Sequence, residues 1–207
     1  MIIFHASDVH FGRPHLSKLS EALVRFVHDL APDAAVISGD LTQRAKAGEY
    51  RAARAFLDAL APHPVITTPG NHDVPLYRFR ERMLVPYRNY RSAIERDLDT
   101  LLDVGGGPGT PGGARFVALD SSSPRRAIVN GRVSARQLDF ADESFAGAPA
   151  GALRVLVVHH NLIDPGDGPR APPLRGARRI LDRLPRWGVD LVLSGHIHRA
   201  YLGVGGV

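Results

Sequence analysis

Polar side chains that could bind a cation follow five apolar runs of this sequence. They are Asp8 and His10, Asp40, Asn71, His159, and His196 with His198. Short, nearly continuous apolar runs are typical of strands that are covered on both faces of a sheet. Because the carboxyl ends of parallel strands meet at one edge of such a sheet, we expect these side chains to form a single site.

The candidate ligands divide into two sets that share Asp40. The first set is Asp8, His10, Asp40 and His198, and the second is Asp40, Asn71, His159 and His196. The chain has no cysteine, so only nitrogen and oxygen donors are available. Such mixed donors suit Mn, Fe, Zn, Ni or Co and disfavour Ca and Mg. We therefore expect two metal ions with Asp40 between them.

Two ions roughly 3.5–4 Å apart can hold a hydroxide and grip a phosphoryl oxygen, which favours in-line attack on phosphorus at neutral pH. His72 neighbours the ligand Asn71 but belongs to neither set. We therefore expect His72 to protonate or stabilise the leaving alkoxide. Asp73 is expected to orient the His72 ring.

Two further residues are candidates for binding substrate. Residues 77–103 are predicted to form a helical, arginine-rich excursion that starts beside the Gly70–Asp73 cluster, and Pro86 should kink or split it. Arg78 at its near end could bind a phosphate, although a solvated arginine-faced helix pair is the alternative. His160 could contact substrate or exchange the ligand role with His159.

The order of the predicted elements indicates an α/β fold. Strands over residues 1–6, 34–38 and 64–68 alternate with helices over 17–31 and 48–60, which predicts parallel strands with right-handed crossovers. A second half contains strands over residues 114–119, 153–158 and 189–194, with helices over 134–145 and 178–184. We expect residues 1–207 to form one domain with a cap-like excursion at about 77–103.

The composition limits the partners of the chain. Its net charge is +5, and its basic residues are nearly all arginine. A dense basic block with interleaved aromatics is missing, so we expect no nucleic-acid track. No apolar run approaches the roughly 18 residues that a membrane helix needs. The N-terminus lacks a secretory signal pattern, so a cytoplasmic location is expected.

These motifs together resemble the calcineurin-like metallophosphoesterases. The segments His5–Gly12, Ser38–Gln43 and Asn71–Pro75 resemble more closely the bacterial class III cyclic nucleotide phosphodiesterases. The resemblance implies a four-layer α/β/β/α sandwich, a binuclear centre that is often Fe/Mn, and hydrolysis of phosphodiesters that include 3′,5′-cyclic AMP. Homodimers are common in that branch.

The sequence also departs from this family pattern at two places. Asn161 and Leu162 follow His159 and His160 where prolines are frequent, which alters the expected rim of the site. Relatives usually continue with further strands after the Gly195–His198 motif. We therefore expect the second sheet to lack C-terminal edge strands, which a partner chain could cover.

Other functions are compatible with the same fold. A nucleotide-lipid pyrophosphatase would need an apolar acyl groove, and a DNA-repair nuclease would need extra domains and a basic track. A non-catalytic binding module would be expected to lose ligands or His72, yet the sequence retains the full set. A phosphodiesterase acting on a small diester is therefore the leading hypothesis.

Overall fold

The computed structural model describes residues 1–14, 17–105, 112–125, 129–166 and 172–203. The strands are β1 (Ile3–Ala6), β2 (Ala34–Ile37), β3 (Val65–Thr67), β4 (Thr100–Val104), β5 (Ala114–Leu119), β6 (Leu153–Val158) and β7 (Leu191–Leu193). The helices are α1 (Ser17–Leu30), α2 (Ala47–Ala59), α3 (Phe79–Leu84), α4 (Arg88–Ala93), α5 (Ala135–Ala146), α6 (Ala177–Leu181) and α7 (Leu184–Trp187). A 3-10 turn covers Asn71–Asp73.

The strands form two sheets. The first has the order β1-β2-β3 and is parallel throughout. The second has the order β4-β5-β6-β7, in which β4 runs antiparallel to β5 and the remaining pairs are parallel. The parallel strands of each sheet therefore end at one edge of that sheet, as the alternating pattern predicts.

Three apolar clusters show how the layers stack. One cluster joins the facing surfaces of the two sheets and includes Val36, Ile66, Phe116 and Val157. A second lies between the first sheet and helices α1, α2 and α4, and a third lies between the second sheet and helices α5 to α7. The order of layers is therefore α/β/β/α, and the expected sandwich is confirmed.

The excursion after the first sheet differs from the expected long helical stretch. Two six-residue helices, α3 and α4, lie on either side of Pro86, and β4 begins at Thr100. Pro86 lacks the backbone N–H that would continue a helix, which explains the break. All five residues of β4 pair with β5, so the end of the excursion forms a strand of the second sheet.

The expected end of the second sheet is described only in part. Within the described residues, β7 pairs with β6 and is the last strand of that sheet. Residues 204–207 lie outside the described residues. Residues 167–171, in the segment after the altered rim at Asn161 and Leu162, also lie outside them.

Candidate metal centre

The candidate ligands lie where strands of both sheets end. In the first sheet, Asp8 and His10 follow β1, Asp40 follows β2 and Asn71 follows β3. In the second sheet, His159 follows β6, and His196 and His198 follow β7. Backbone bonds tie these ends together, because Asp8 N–H donates to the carbonyl of Gly39 and His10 N–H donates to that of Asp40. The site is thus built by loops from both sheets.

The first ligand set comes together in the structure. The side-chain ligand atoms of Asp8, His10, Asp40 and His198 all lie within 4.8 Å of one another. His10 Nε2 lies 3.1 Å from His198 Nε2 and 3.7 Å from Asp40 Oδ2, and His198 Nε2 lies 3.4 Å from Asp8 Oδ1. Two nitrogens and two carboxylates that converge at this spacing fit one cation with metal–ligand distances of about 2.0–2.2 Å.

The second ligand set converges on Asn71. Asn71 Oδ1 lies 2.9 Å from His196 Nδ1 and 3.1 Å from His159 Nε2. His159 Nε2 also lies 3.4 Å from Asp40 Oδ2. An amide oxygen, a carboxylate and two imidazoles therefore meet at a second position, and Asp40 belongs to both positions.

Asp40 and His159 form a buried charged pair. Asp40 is 1% exposed and His159 is fully buried. Burial alone would raise the pKa of Asp40, but the charge and hydrogen bond of His159 outweigh burial and lower that pKa. Burial likewise opposes the charge of His159, yet Asp40 raises the pKa of His159 to about 9. A cation would replace the proton that balances this buried carboxylate.

His159 is held by a second contact behind the site. His159 Nδ1 lies 2.9 Å from the carbonyl oxygen of Ser38, which can only accept, so Nδ1 carries a proton and Nε2 faces Asn71 and Asp40. Ser38 Oγ is in turn 2.7 Å from His5 Nε2. The sequence contains Ser38 in its motif, but a carbonyl contact of this kind leaves no signal in residue types.

His72 lies beside the first ligand set. Its ring centre is 4.8 Å from that of His10, and its backbone N–H donates to Asp40 Oδ1 at 2.7 Å. Its Nδ1 lies 2.9 Å from the carbonyl oxygen of Gln43. The carbonyl can only accept, so this bond places a proton on Nδ1 of His72. Gln43 Nε2 also lies 3.4 Å from His72 Nδ1, but the shorter contact is made by the backbone carbonyl. Sequence analysis assigned no role to Gln43, because a backbone carbonyl gives no signal in the residue type.

Asp73 makes different contacts from those expected. Its carboxylate accepts hydrogen bonds from the backbone N–H groups of Leu41, Thr42 and Gly70 at 3.1, 2.8 and 2.9 Å. The expected bond to the His72 ring is not among its contacts with the described residues. Asp73 is fully buried, and burial raises its pKa to about 6. It joins the loop after β2 to the turn after β3, so its effect on His72 is indirect.

Arg78, the first expected substrate-binding residue, is directed towards the protein. Its guanidinium donates to the carbonyl oxygens of Arg44 and Ala45 at 3.0 and 2.9 Å and to Glu81 at 2.6 Å. Three of the five N–H groups of the guanidinium are thus engaged by acceptors on the protein. Substrate binding by Arg78 stays a prediction without support from its geometry.

His160 lies within the second half of the site. Its Nδ1 is 2.8 Å from Ser121 Oγ, and its ring centre is 4.5 Å from that of His196. One ring nitrogen from each of His159, His160 and His196 lies within 4.8 Å of the others. His159 Nε2, however, lies close to both Asn71 Oδ1 and Asp40 Oδ2, which favours His159 as the ligand.

Two glycines explain how the loops approach so closely. Gly39 has φ +88°, and a Cβ there would lie 2.6 Å from His159 Nδ1. A Cβ on Gly70 would collide with the carboxylate of Asp40. Glycine before Asp40 and before Asn71 is therefore needed for the ligand geometry itself.

The family of the chain follows from comparison with known proteins. A family model described as calcineurin-like phosphoesterase matches residues 1–200. The chain belongs to the calcineurin-like phosphoesterase family. The resemblance inferred from the motifs is thereby confirmed. The motifs on which it rests contain the ligands that converge in the structure.

Curated relatives include proteins named as cyclic nucleotide phosphodiesterases. A protein of Rhodococcus erythropolis named probable cyclic nucleotide phosphodiesterase is 30% identical over 209 residues, covering 95% of this chain and 64% of that protein. A cAMP/cGMP dual specificity phosphodiesterase of Mycobacterium tuberculosis is 27% identical over 211 residues, covering 95% and 61%. The chain thus spans less than two thirds of the length of either relative.

A solved structure supports the fold. Purple acid phosphatase from yellow lupin seeds matches with a TM-score of 0.67 and 15% identity, covering 95% of this chain and 37% of that one. At this identity the likeness establishes the metallophosphatase fold alone. Among the described residues, none of the helices has the length and apolar character needed to cross a bilayer.

Proposed function

We propose that this calcineurin-like phosphoesterase is a binuclear, metal-dependent phosphodiesterase for small phosphodiesters, with 3′,5′-cyclic nucleotides such as cAMP as the leading substrates. The observation that carries the proposal is the position of Asp40 between two converging ligand sets. The names of the Rhodococcus and mycobacterial relatives support the choice of substrate class.

The donor chemistry fits two ions of the Fe/Mn class, with Zn, Ni or Co as alternatives. Asp8, His10, Asp40 and His198 would hold one ion, and Asp40, Asn71, His159 and His196 would hold the other. When bound, such ions supply a nucleophile at neutral pH and neutralise charge on the phosphoryl group.

His72 is the residue proposed to act on the leaving group. Its Nδ1 proton is committed to the carbonyl of Gln43, so Nε2 is the nitrogen that can deliver a proton to the departing alkoxide. The Gln43 carbonyl also stabilises the imidazolium that precedes this transfer. Both features suit a general acid whose ring must keep one orientation.

The proposal is tested with bis-p-nitrophenyl phosphate as substrate. Hydrolysis should require added Mn²⁺ and should stop when a chelator removes the ion. His72→Ala should lower kcat by about 10²-fold or more and leave the metal content unchanged. The exposed residue His28 provides the control, since His28→Ala should leave kcat at the wild-type value. A metal-loaded wild-type protein that turns over no diester would reject the proposal in favour of a binding module.

The substrate class needs a separate comparison. Rates should be measured in parallel for cyclic AMP, cyclic GMP, a nucleotide-lipid diphosphate and a short DNA. We expect the cyclic nucleotides to give the highest kcat/KM. A preference for the lipid diphosphate would replace the cyclic nucleotide assignment while keeping the two-metal site.

A further inference from the structure

The loop of residues 43–45, called here the 43–45 loop, connects Asp40 to helix α2 and carries the carbonyl that orients His72. Gln43 is the residue that supplies this carbonyl, at 2.9 Å from His72 Nδ1. Any movement of the 43–45 loop would therefore move the acceptor that sets the His72 ring. What holds this loop in place decides how well His72 is oriented.

The backbone of the loop has a conformation that needs support. Ala45 has φ +53°, a left-handed conformation that costs a non-glycine residue roughly 1–2 kcal/mol. Ala45 is also 1% exposed, so its carbonyl needs partners inside the protein. Glu49 and Thr42 accept the backbone N–H groups of Arg44 and Ala45. The carbonyls of the loop need matching donors as well.

Those donors come from the excursion that follows the His72 turn. Arg78, just before α3, donates to the carbonyls of Arg44 and Ala45 at 3.0 and 2.9 Å. Asn89 on α4 donates to the same Ala45 carbonyl at 2.9 Å. Glu81 fixes the Arg78 guanidinium from its other side at 2.6 Å.

The chain connectivity joins these contacts to the active residue. Only five residues separate His72 from Arg78, so the segment that carries His72 returns at once to grip the loop that orients it. The 43–45 loop and residues 72–78 are thus tied at two points, His72 to Gln43 and Arg78 to Arg44 with Ala45. We propose that Arg78 and Asn89 are positioning residues that hold the 43–45 loop and thereby orient His72, an inference that rests on the role proposed for His72.

The role proposed here for Arg78, to position His72, differs from the substrate binding expected from the sequence. An arginine that binds the substrate phosphate contributes mainly to KM, because it acts on the ground state as well. An arginine that positions His72 contributes to kcat, because misplacement of a catalytic group by about 1 Å can cost roughly 10²-fold in rate. The two roles therefore separate in steady-state kinetics.

The kinetic experiment uses variants of the 207-residue chain with bis-p-nitrophenyl phosphate and Mn²⁺. Arg78→Ala and Asn89→Ala should lower kcat by about 10- to 100-fold while KM and the amount of bound metal stay near wild type. Arg78→Lys should recover part of kcat, because an ammonium can still reach one carbonyl. Arg80→Ala is the matched control and should behave as wild type, since Arg80 is exposed on α3, two residues after Arg78.

A spectroscopic measurement tests the same link without turnover. The Nδ1–H proton of His72, identified by its loss in His72→Gln, should give a protected NMR signal that weakens or shifts in Arg78→Ala and Asn89→Ala but persists in Arg80→Ala. A wild-type protein without diester hydrolysis would reject the proposed function, and this signal would still decide the positioning role. A raised KM at constant kcat, or an unchanged His72 signal in both variants, would overturn the inference.

Discussion

Asp40 decides how the two halves of the candidate site are coupled. Its carboxylate faces His10 from the first ligand set and His159 from the second, while its Oδ1 also accepts the backbone N–H of His72. One buried carboxylate thus contacts both ligand sets and the backbone of the proposed acid. Loss of this side chain should disturb all three together.

The neighbouring residues His159 and His160 should respond differently to the same substitution. His159→Gln should lower the bound Mn²⁺ by about one ion per chain, because His159 Nε2 faces Asn71 and Asp40. His160→Gln should keep two ions, because the His160 ring is held by Ser121. Metal analysis of the dialysed proteins checks both, and the opposite pattern would make His160 the ligand.

The sequence predicted most residues of the candidate site because its signal lies in side-chain types. Aspartate, histidine and asparagine at strand ends indicate ligands from their chemistry and spacing alone. The carbonyls of Ser38 and Gln43, which orient His159 and His72, give no such indication. Every residue has a carbonyl, so only the folded backbone shows which ones point into the site.

Among the elements, the excursion after β3 was also predicted only in part from residue types. Pro86 predicted the break between two helices, and the structure confirms it. The start of β4 at Thr100 was missed, since a five-residue strand at the end of a helical pattern has little periodicity of its own. Pairing with β5 determines the conformation of this segment, and that partner lies further along the chain.

The end of β5 carries a buried carboxyl network that joins three elements. Asp99, before β4, accepts hydrogen bonds from the backbone N–H of Asp120 at 2.9 Å and from Gln137 on α5 at 2.8 Å. Asp120 is 6% exposed and accepts from the backbone N–H of Ser122. Burial raises the pKa of Asp120 to about 7, even though its hydrogen bonds oppose that shift.

This network predicts a pH-dependent stability. The ordinary pKa of an aspartate is about 3.9, and that of Asp120 in the fold is about 7. Between these two values the folded state binds more protons than the unfolded state. The contribution of Asp120 to the free energy of unfolding therefore falls as pH rises through this window, by roughly a few kcal/mol in total.

Urea unfolding at several pH values would check the effect of Asp120. The difference in free energy of unfolding between wild type and Asp120→Asn should change steadily from about pH 5 to about pH 7. The exposed residue Asp139 on α5 provides the control, since Asp139→Asn should leave the slope unaltered. A constant difference for Asp120→Asn across this range would contradict the predicted titration.

In the molecule as a whole, the ligands join the two sheets. Asp8, Asp40 and Asn71 follow strands of the first sheet, and the second sheet supplies His159, His196 and His198. The α/β/β/α order was predictable from the family resemblance, whereas the shared core of the two sheets, with Val36 and Phe116, is visible only in the structure. A cation bound at this edge would link the sheets as well as fill the site.

Metal binding should therefore stabilise the whole fold. Mn²⁺ at about 100 times its Kd adds roughly 2.7 kcal/mol to the free energy of unfolding per site, which corresponds to a Tm increase of roughly 5–10 °C for a chain of this size. Differential scanning fluorimetry with and without Mn²⁺ measures the increase. Asp40→Asn should abolish most of it, and Asp29→Asn, at an exposed position of α1, should retain it.

The backbone at the ligands has an unusual conformation. Five of them have φ between 50° and 75°, namely Asp8, His10, Asp40, His196 and His198. A residue with a Cβ is strained there by roughly 1–2 kcal/mol. His198 is the most accessible member, with a side chain that is 58% exposed. Glycine at position 198 would relieve the strain at little cost in packing.

If variants were selected for thermal stability in the absence of metal ions, we therefore expect substitutions of these ligand residues to appear first. His198→Gly should raise the melting temperature of the ion-free protein and lower its capacity for Mn²⁺, while His28→Gly, inside helix α1, should lower the melting temperature. Calorimetry of both chelated variants measures this opposition. The positive φ angles of the ligands would then lower the stability of the ion-free protein while they allow it to bind metal.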